Sequence, residues 1–472
     1  MTRLLDTDVR FISNVEATAK LMNEWGSLTQ VLDEVLTIGS NEQQILSITT
    51  IEDPEDSRYW LSTIVLNTGH KFEKELHVVS ISGVSVNEYN NVFRVQETTK
   101  NSINIAFLKE TQIEKPLDVV NTAEAKIKLA PLGYEIVFTD TNKRVYKSKD
   151  PNANVCYLRV DDSCPLGYDP SWLKFARVSM YSEMDSIDDF YPRTGRLKAP
   201  YYVDDPVRAE IPSGTGAKGR YGESKWYYSS RTDWDNYGEN SPPTFAGPRE
   251  YEFIGDSKTF YLFNSLECYY VGNQKIGKCF GEYVDLDNDN NINNHILCSH
   301  EWPTTADNNY WNGRYMNHYG GNPGRWESTS TFSRLRDSWG KYILNNEQSV
   351  DILQNHVKVE FINSMTGNLS GRDTGFSFNQ YTLNLNFFEV YLRAFFTNKT
   401  VFKGKMRGYY FIGNNLQDFR SRVPAHKQII TDIKDNGSLK FLMLSSFQNW
   451  SSDVEWSGWQ HSRVAFKLNN WS

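Results

Sequence analysis

Short runs rich in apolar and aromatic residues occur along most of the chain, some of them alternating with polar residues, and each run predicts a β-strand. In the first part of the chain these runs lie at 45–51, 60–66, 77–81, 92–95 and 102–108. Later runs lie at 134–138, 144–148, 155–160, 176–181, 251–254, 259–263, 268–271, 357–361, 401–402, 409–412, 439–444 and 463–468. Stretches rich in Gly, Pro, Ser and Asn separate the runs, above all 191–248, and these predict long loops.

Residues 27–38 (SLTQVLDEVLTI) have a helical pattern instead. Their apolar positions at i, i+3, i+4, i+7 and i+8 are Leu28, Val31, Leu32, Val35 and Leu36. This apolar stripe predicts an amphipathic helix, which Ser27 can cap and Gly39 can end. A helix this short needs a covered apolar face. We therefore expect the stripe to pack on the β domains or on an adjacent subunit, which makes its five residues candidate interface residues.

The distribution of these patterns predicts a mainly β fold. We expect several small β-sandwich or barrel-like domains with long loops and one short N-terminal helix. The predicted divisions are an N-terminal arm and helix (1–43), a small β module (44–124), a central β domain with long loop insertions (125–349) and a C-terminal β domain (350–472). Residues 1–25 have no strong pattern, and we expect them to form an arm that lies on a neighbouring subunit.

Composition supports this organisation and narrows the class of protein. A length of 472 residues suits about three domains. Aromatic residues make up 14% of the chain, and their large rings supply buried area in a polar β protein. The net charge is −8 without a cluster of Lys and Arg, which argues against a nucleic-acid groove. No apolar run reaches the ~18 residues of a membrane span.

The N-terminus and the cysteines predict a cytoplasmic origin. The first residues, MTRLLDTDVRF, contain acids where a signal peptide has its apolar stretch. The five cysteines are odd in number and lack a CxxC pair, which argues against a disulfide scaffold. We therefore expect synthesis in a cytoplasm and mostly packed, reduced thiols.

One Asp/Asn-rich segment, residues 285–296 (DLDNDNNINNHI), has oxygen ligands at alternate positions. Positions 1, 3 and 5 of a calcium-binding loop are occupied by Asp285, Asp287 and Asp289. The Gly of position 6 is replaced by Asn290, and the bidentate Glu of position 12 by Ile296. We therefore predict a projecting, solvated loop without a high-affinity Ca²⁺ site. A Ca²⁺ site completed by a remote carboxylate is the alternative, and no other cofactor is expected.

Two further segments have metal- or phosphate-binding residue types without a complete motif. Zinc-type ligands occur at Cys279, His295, Cys298 and His300, but no second CxxC or HxxxH pair accompanies them. Residues 212–224 (PSGTGAKGRYGES) are Gly-rich and contain a lysine. They lack the G-K-[ST] ending of a phosphate-binding loop. Turn and packing roles are the alternative for both segments.

Carboxylates beside aromatic residues raise the possibility of saccharide chemistry. Asp233, Asp235 and Glu301 each lie near a Trp, and residues 308–327 are rich in Tyr, Trp and Asn. A glycosidase needs two carboxyl groups at a defined separation in space. Anchoring of long loops or of a subunit interface is the alternative for these rings. The sequence assigns no catalytic residue, and we predict that the protein is not an enzyme.

Several separated segments, taken in chain order, resemble structural proteins of tailed bacteriophages and prophages. They are GSLTQVLDEVL (26–36), TGHKFE (68–73), ISGVSVNEYNNVFRV (81–95), APLGYEIVFTDTNKRVYKSKD (130–150), YLRVDD (157–162), FARVSMYSEMDSID (175–188), IGDSKTFYLF (254–263), RGYYFIGNNL (407–416) and FKLNNW (466–471). Segments 68–73 and 81–95 are similar to a small β module found repeatedly in phage virion proteins. The chain departs from the family pattern at 186–202 (SIDDFYPRTGRLKAPYY).

The resemblance implies a non-catalytic component of the virion, associated with the tail, baseplate or collar. Its partners would be other phage virion proteins, and it would form a homo-oligomer on a three-, six- or twelvefold axis. Neither nucleic acid nor membrane is an expected partner. The expected location is the virion, after synthesis in the host bacterial cytoplasm. The alternatives are a receptor-binding or polysaccharide-depolymerising tail protein and a head decoration protein.

Overall fold

The computed structural model describes the chain in segments that include the whole predicted helix and most of the predicted strands. These segments are 3–120, 123–172, 174–181, 184–188, 224–229, 247–265, 276–285, 295–298, 358–363, 387–396, 399–412, 427–432, 439–445, 463–469 and 471. The predicted mainly β fold is confirmed. The described residues contain several separate antiparallel sheets and one short α-helix, and none of these sheets closes into a barrel.

The N-terminal segment contributes one strand and the helix. Strand β1 covers Arg10–Ser13 and helix α1 covers Ser27–Leu32. The helix continues without a break as a π-helix over Asp33–Ile38. The predicted helix at 27–38 is therefore correct in extent, but its second half has a wider turn than the pattern indicated.

The π-helix makes backbone hydrogen bonds within itself and to the chain segment that precedes the second sheet. The Gly39 N–H donates to the Glu34 carbonyl at 2.7 Å, which is the five-residue spacing of a π-helix. The Val35 and Leu36 carbonyls accept N–H groups from residues 132 and 133 at 3.0 and 3.1 Å. The π-helix thus hydrogen-bonds to the chain just before the second sheet.

Residues 40–129 form the first sheet, which we call the module sheet. Its strands are β2 (Ser40–Glu52), β3 (Tyr59–Leu66), β4 (Val78–Ser82), β5 (Val92–Arg94), β6 (Glu97–Thr98), β7 (Ser102–Leu108), β8 (Val119–Val120) and β9 (Lys126–Leu129). Their order is β5-β4-β9-β2-β3-β7-β6, and β8 pairs with β2. Strand β9 lies beyond the predicted module end at residue 124. Strand β7 pairs with β3 and β6.

The second sheet is an up-and-down meander. Its strands, in spatial and chain order, are β10 (Tyr134–Asp140), β11 (Lys143–Ser148), β12 (Tyr157–Asp161), β13 (Phe175–Tyr181) and β14 (Ser224–Tyr227). Strand β14 was not predicted, because it lies within the 191–248 stretch whose composition indicated a loop. Its residues Trp226 and Tyr227 are buried. The packing of these aromatic residues stabilises a strand in a stretch whose composition is typical of a loop.

The third sheet lies at the centre of the packing, and we call it the central sheet. It contains β1 together with β15 (Tyr251–Gly255), β16 (Thr259–Asn264), β17 (Ile276–Glu282) and β19 (His295–Cys298), in the order β1-β15-β16-β17-β19. Every residue of β15 and β16 is buried. Both faces are therefore covered, which explains why these strands are nearly continuous in apolar residues.

The fourth sheet contains the C-terminal strands. They are β18 (Val284–Asp285), β20 (Lys358–Asn363), β21 (Phe387–Phe396), β22 (Lys399–Ile412), β23 (Ile429–Asp432), β24 (Leu439–Ser445) and β25 (Arg463–Lys467). The order is β20-β21-β22-β25-β24-β23, with β18 beside β22. The two short strands predicted at 401–402 and 409–412 are one long strand, β22. The predicted strand at 268–271 lies outside the described residues.

One hydrophobic core joins the helix to residues of all four sheets. Aromatic rings carry much of the contact between sheets. The Phe260 ring of the central sheet lies 5.6 Å from Tyr134 and 6.2 Å from Trp226, both edge to face. On the other side, the Tyr261 ring lies 5.1 Å from Phe466. The high aromatic content of the sequence is therefore used to pack one sheet on another.

Candidate functional site

The apolar stripe of the helix lies inside the chain's own core. Leu28, Val31, Leu32, Val35 and Leu36 are each 0% exposed. They belong to the core that includes residues of the module and central sheets. Of the two predicted surroundings, the β domains are the one observed. These five residues present no surface to an adjacent subunit, so their assignment as interface residues is wrong.

The N-terminal segment likewise lies on its own chain rather than on a neighbouring subunit. Strand β1 pairs with β15 along its whole length. Arg3 forms an ion pair with the buried Asp53 of the module, and the Arg10 guanidinium donates to the Pro131 carbonyl. Leu21 forms an isolated β-bridge with Arg249. The expectation of an arm on a neighbour is therefore wrong for the described residues 3–25, because strand pairing and ion pairs hold them in place.

Arg94, at the end of β5, is the centre of these contacts. It is 2% exposed and its guanidinium donates to five backbone carbonyls. The acceptors, with distances, are Asp6 at 2.6 Å, Val9 at 2.6 Å, Glu75 at 2.9 Å, Leu76 at 3.2 Å and Leu468 at 3.4 Å. Burial lowers the pKa of Arg94 to about 10, which still leaves it charged at neutral pH. One side chain thus joins the N-terminal segment, the module and the last described strands.

A remote carboxylate caps the helix. Gly26, with φ 89°, precedes the helix and provides no side-chain cap. Instead Asp162, which follows β12, accepts the N–H groups of Leu28 at 2.9 Å and Thr29 at 3.3 Å through Oδ2. The Tyr228 hydroxyl donates to its Oδ1 at 2.6 Å. Asp162 is fully buried, and burial raises its pKa to about 7 against the opposing effect of these hydrogen bonds.

Replacing Asp162 by alanine is expected to destabilise the protein by about 2–4 kcal/mol. The change leaves the buried N–H groups of Leu28 and Thr29 without their acceptor, whereas the Tyr228 hydroxyl keeps the Glu24 carbonyl at 3.1 Å. Asp162→Asn is the matched control, since its carbonyl oxygen can accept both N–H groups while its amide donates to Tyr228. Urea unfolding followed by tryptophan fluorescence should show a much smaller loss for Asn than for Ala.

The same pair of variants tests the pKa of Asp162. A folded-state pKa near 7, above the unfolded value of about 3.9, means that the contribution of Asp162 to wild-type stability falls as pH rises from about 4 to about 7. Asparagine resembles the protonated acid and lacks this dependence. Asp162→Asn should therefore gain stability relative to wild type over that range, and a constant difference would contradict the assignment.

His77 is a second buried polar group at the boundary between the N-terminal segment and the module. It is 0% exposed, and its ring stacks on Phe11 with centroids 6.2 Å apart. Nδ1 accepts the Glu73 N–H at 2.7 Å, whereas Nε2 has no hydrogen-bond partner. Burial lowers the pKa of His77 to about 4. Glu16 opposes this shift, and Lys427, Arg94 and His70 add to it.

The contribution of His77 to stability should therefore fall on acidification. The unfolded state, with a His pKa of about 6.5, takes up the proton first, so folding is weakened as pH falls from about 6.5 to about 4. The contribution of this residue is up to about 3 kcal/mol. In His77→Asn, whose side-chain oxygen can replace Nδ1 as acceptor, the urea midpoint should depend less on pH across this window. Equal slopes for both proteins would exclude His77 as the source.

The candidate calcium segment is only partly within the described residues. Asp285 ends β18, where it pairs with Gly404 of β22. Asp287 and Asp289 lie outside the described residues, so the Ca²⁺ prediction is untested. The first position of the segment is thus held by the C-terminal sheet. The absence of a high-affinity Ca²⁺ site stays a prediction, and calorimetry with the isolated protein should show no micromolar Ca²⁺ binding.

The zinc-type ligands fall on two neighbouring strands of the central sheet. Cys279 lies opposite Cys298, and Glu282 lies opposite His295. Burial lowers the pKa of His295 to about 3, and its ring lies 6.2 Å from Phe280. Within the described residues no three His, Cys, Asp or Glu side chains converge as a metal site. His300 lies outside those residues.

The segments considered for saccharide and phosphate binding add no geometry. Asp233, Asp235, Glu301 and the aromatic stretch 308–327 lie outside the described residues, as do residues 212–223 of the Gly-rich loop. Among the cysteines, the described thiols of Cys156, Cys164 and Cys279 are free. Of the helices in the described parts of the chain, none is long and apolar enough to cross a membrane.

The module presents an exposed apolar surface beside β8. Its members, with their exposed fractions, are Leu46 (46%), Ile51 (52%), Ile113 (81%), Leu117 (70%) and Val120 (81%). Val120 lies opposite Ser47 on β2, and residues 47 and 51 share one face of that strand. Ile51 and Val120 therefore lie on the same side of the sheet, and exposed apolar residues that share one side of a sheet are candidates for an interaction surface.

Comparison with protein-family models and with curated proteins extends the picture no further. No family model and no curated protein matches this sequence.

Proposed function

We propose that the protein is a structural component of a tailed-bacteriophage virion, associated with the tail, baseplate or collar. The exposed apolar surface of the module carries the proposal. It belongs to the part of the chain whose sequence resembles the small β module of phage virion proteins, and its natural occupant is an apolar surface of another subunit in the particle. Copies of the chain would be arranged on a three-, six- or twelvefold axis, so that one modest contact is used repeatedly.

The buried polar groups support a scaffold role. Arg94 and Asp162 connect segments distant in sequence. A third connection is the ion pair between Arg407 of β22 and Asp256 of the β15–β16 turn, 2.8 Å apart and less than a tenth exposed on both sides. Charged pairs of this kind fix one arrangement of the sheets. A subunit that must fit fixed neighbours benefits from such rigidity.

The test is incorporation into particles. Leu117→Asp together with Val120→Asp should leave the melting temperature unchanged, because both side chains are already in solvent, but should reduce incorporation at least tenfold. Leu166→Asp is the matched control, since Leu166 is 95% exposed and lies outside the module. Quantitative mass spectrometry of purified particles measures all three proteins.

Two results would contradict the proposal. One is absence of the wild-type protein from purified particles. The other is release of reducing sugar from host capsule or lipopolysaccharide that is lost in Asp233→Ala or Glu301→Ala, which supports the depolymerising tail protein instead. Immunogold labelling of intact particles distinguishes a tail, baseplate or collar position from head decoration.

A further inference from the structure

Two cysteines lie directly opposite each other on neighbouring strands of the central sheet. In the register of β17 and β19, Cys279 pairs with Cys298. The Cys279 side chain is 0% exposed and its thiol is free. In the sequence, the Asp/Asn-rich segment 285–296 lies between the two residues.

The direction of the backbone hydrogen bonds shows that Cys279 and Cys298 form a hydrogen-bonded antiparallel pair. The Asp256 N–H donates to the Thr259 carbonyl across the β15–β16 turn at 2.9 Å, so the peptide groups of Thr259 point toward β15. Gly281 lies opposite Thr259 on β17, and its peptide groups accordingly point away from β16, toward β19. Peptide direction alternates along a strand, so Cys279, two residues earlier, also bonds toward Cys298.

A hydrogen-bonded antiparallel pair has Cα atoms ~5.5 Å apart. Disulfides span Cα separations of ~4.4–6.8 Å, most often ~5.5–6 Å. The backbone spacing therefore suits a disulfide. Cβ atoms of directly opposite residues are ~4.5–5.5 Å apart, with hydrogen-bonded pairs at the wide end, against ~3.8 Å in a disulfide. The two strands would need to draw together by about 1 Å or more at this point.

We propose that Cys279 and Cys298 form a redox-sensitive cross-strand disulfide. With a small-molecule disulfide such as oxidised glutathione as oxidant, the thiolate of one cysteine attacks a glutathione sulfur and releases one glutathione thiolate. The second cysteine thiolate then attacks the mixed disulfide and releases the other. Two protein thiols are oxidised and one external disulfide is reduced to two thiols, and the two protons lost by the protein thiols are taken up by the two glutathione thiolates, so that no net proton is released.

The wide spacing makes this bond conditional. A strained disulfide is more easily reduced, so a reducing cytoplasm keeps both thiols free. Burial raises the pKa of the Cys279 thiol well above its usual range, which slows attack because the thiolate is the reactive form. The cross-link therefore forms slowly after transfer to an oxidising medium and joins the two strands that flank residues 286–294.

The experiment uses the full-length protein, first reduced without oxygen and then incubated with oxidised glutathione. Free thiols are blocked with N-ethylmaleimide, and peptides are mapped by mass spectrometry before and after reduction. We expect a linked peptide pair containing Cys279 and Cys298, with a loss of two free thiols per chain that dithiothreitol reverses.

Two single variants complete the test. Cys298→Ala should abolish the linked pair and retain one more free thiol than oxidised wild type, whereas Cys164→Ala should retain the pair. The proposal is overturned if both cysteines remain alkylated after prolonged oxidation. It is equally overturned if Cys279 is linked to a different cysteine or to a second chain. Mapping on wild type needs no variant, so a misfolded mutant does not obscure the result.

Discussion

Val31→Asp is expected to abolish the stable fold, with a loss of about 4 kcal/mol or more. Val31 lies in the middle of the helix stripe, is 0% exposed and belongs to the core that joins the sheets. A carboxylate there loses its hydration with no partner designed to receive it. Soluble yield and the urea midpoint measure the effect, and Val31→Asp combined with Val35→Asp should give no soluble protein.

The neighbouring residue provides the control. Gln30 is exposed on the same helix, so Gln30→Asp introduces the same charge one position away with a change within about 0.5 kcal/mol. A well-folded Val31→Asp protein, or a Gln30→Asp protein equally damaged, would contradict the placement of the stripe in the core.

Arg94→Met should cost about 3–5 kcal/mol. Methionine occupies much of the same volume but cannot donate to the five carbonyls that Arg94 contacts, and these acceptors stay buried. Arg94→Lys should be intermediate, because an ammonium has three donors and lacks the planar fork. The melting temperature and the protection of the β1 amides from hydrogen exchange should both decrease.

Arg58→Met is the matched control for this prediction. Arg58 pairs with Asp56 on the surface, where its Nε and Nη2 groups donate to the two carboxylate oxygens. The Arg58 side chain is 57% exposed. Water replaces the lost contacts there, so the melting temperature should hardly change. Equal effects at positions 58 and 94 would contradict the argument that burial of the Arg94 contacts makes their loss costly.

The spacing of apolar residues predicted the elements that depend on local periodicity alone. The five-residue stripe gave the helix, since its spacing is set by the helical repeat and by burial of one face. Strand β7 was predicted with its observed bounds, Ser102–Leu108, because Ile103 and Ile105 alternate with polar residues. The partners of a strand are not encoded in this way. Strand β1 pairs with β15 more than two hundred residues later, and no period in the sequence announces it.

The buried polar groups were missed for the same reason. Arg94 gave one signal, a charged residue between Phe93 and Val95 in an otherwise apolar run. That signal indicates a buried arginine but not its acceptors, which lie up to 374 residues away. Asp162 appears in the sequence only as the second of two acids, and its role as a cap depends on a helix 134 residues earlier. Of the predicted calcium ligands, only Asp285 can be located at all.

The contact between Arg94 and the Leu468 carbonyl has a consequence for biosynthesis. Residue 468 is added 374 residues after Arg94, which at roughly 5–20 residues per second takes on the order of tens of seconds. The other four acceptors of Arg94 precede it in the chain, but until residue 468 is made the N–H group that donates to Leu468 must remain hydrated or hold a temporary acceptor. The contact between Arg94 and the C-terminal strands stays open during that time. Closure is thus a late event in the life of each chain. Shortened chains that lack residue 468 cannot make this contact, so the region around Arg94 stays open in them. A protease can recognise this open region and degrade such chains before they compete with complete chains.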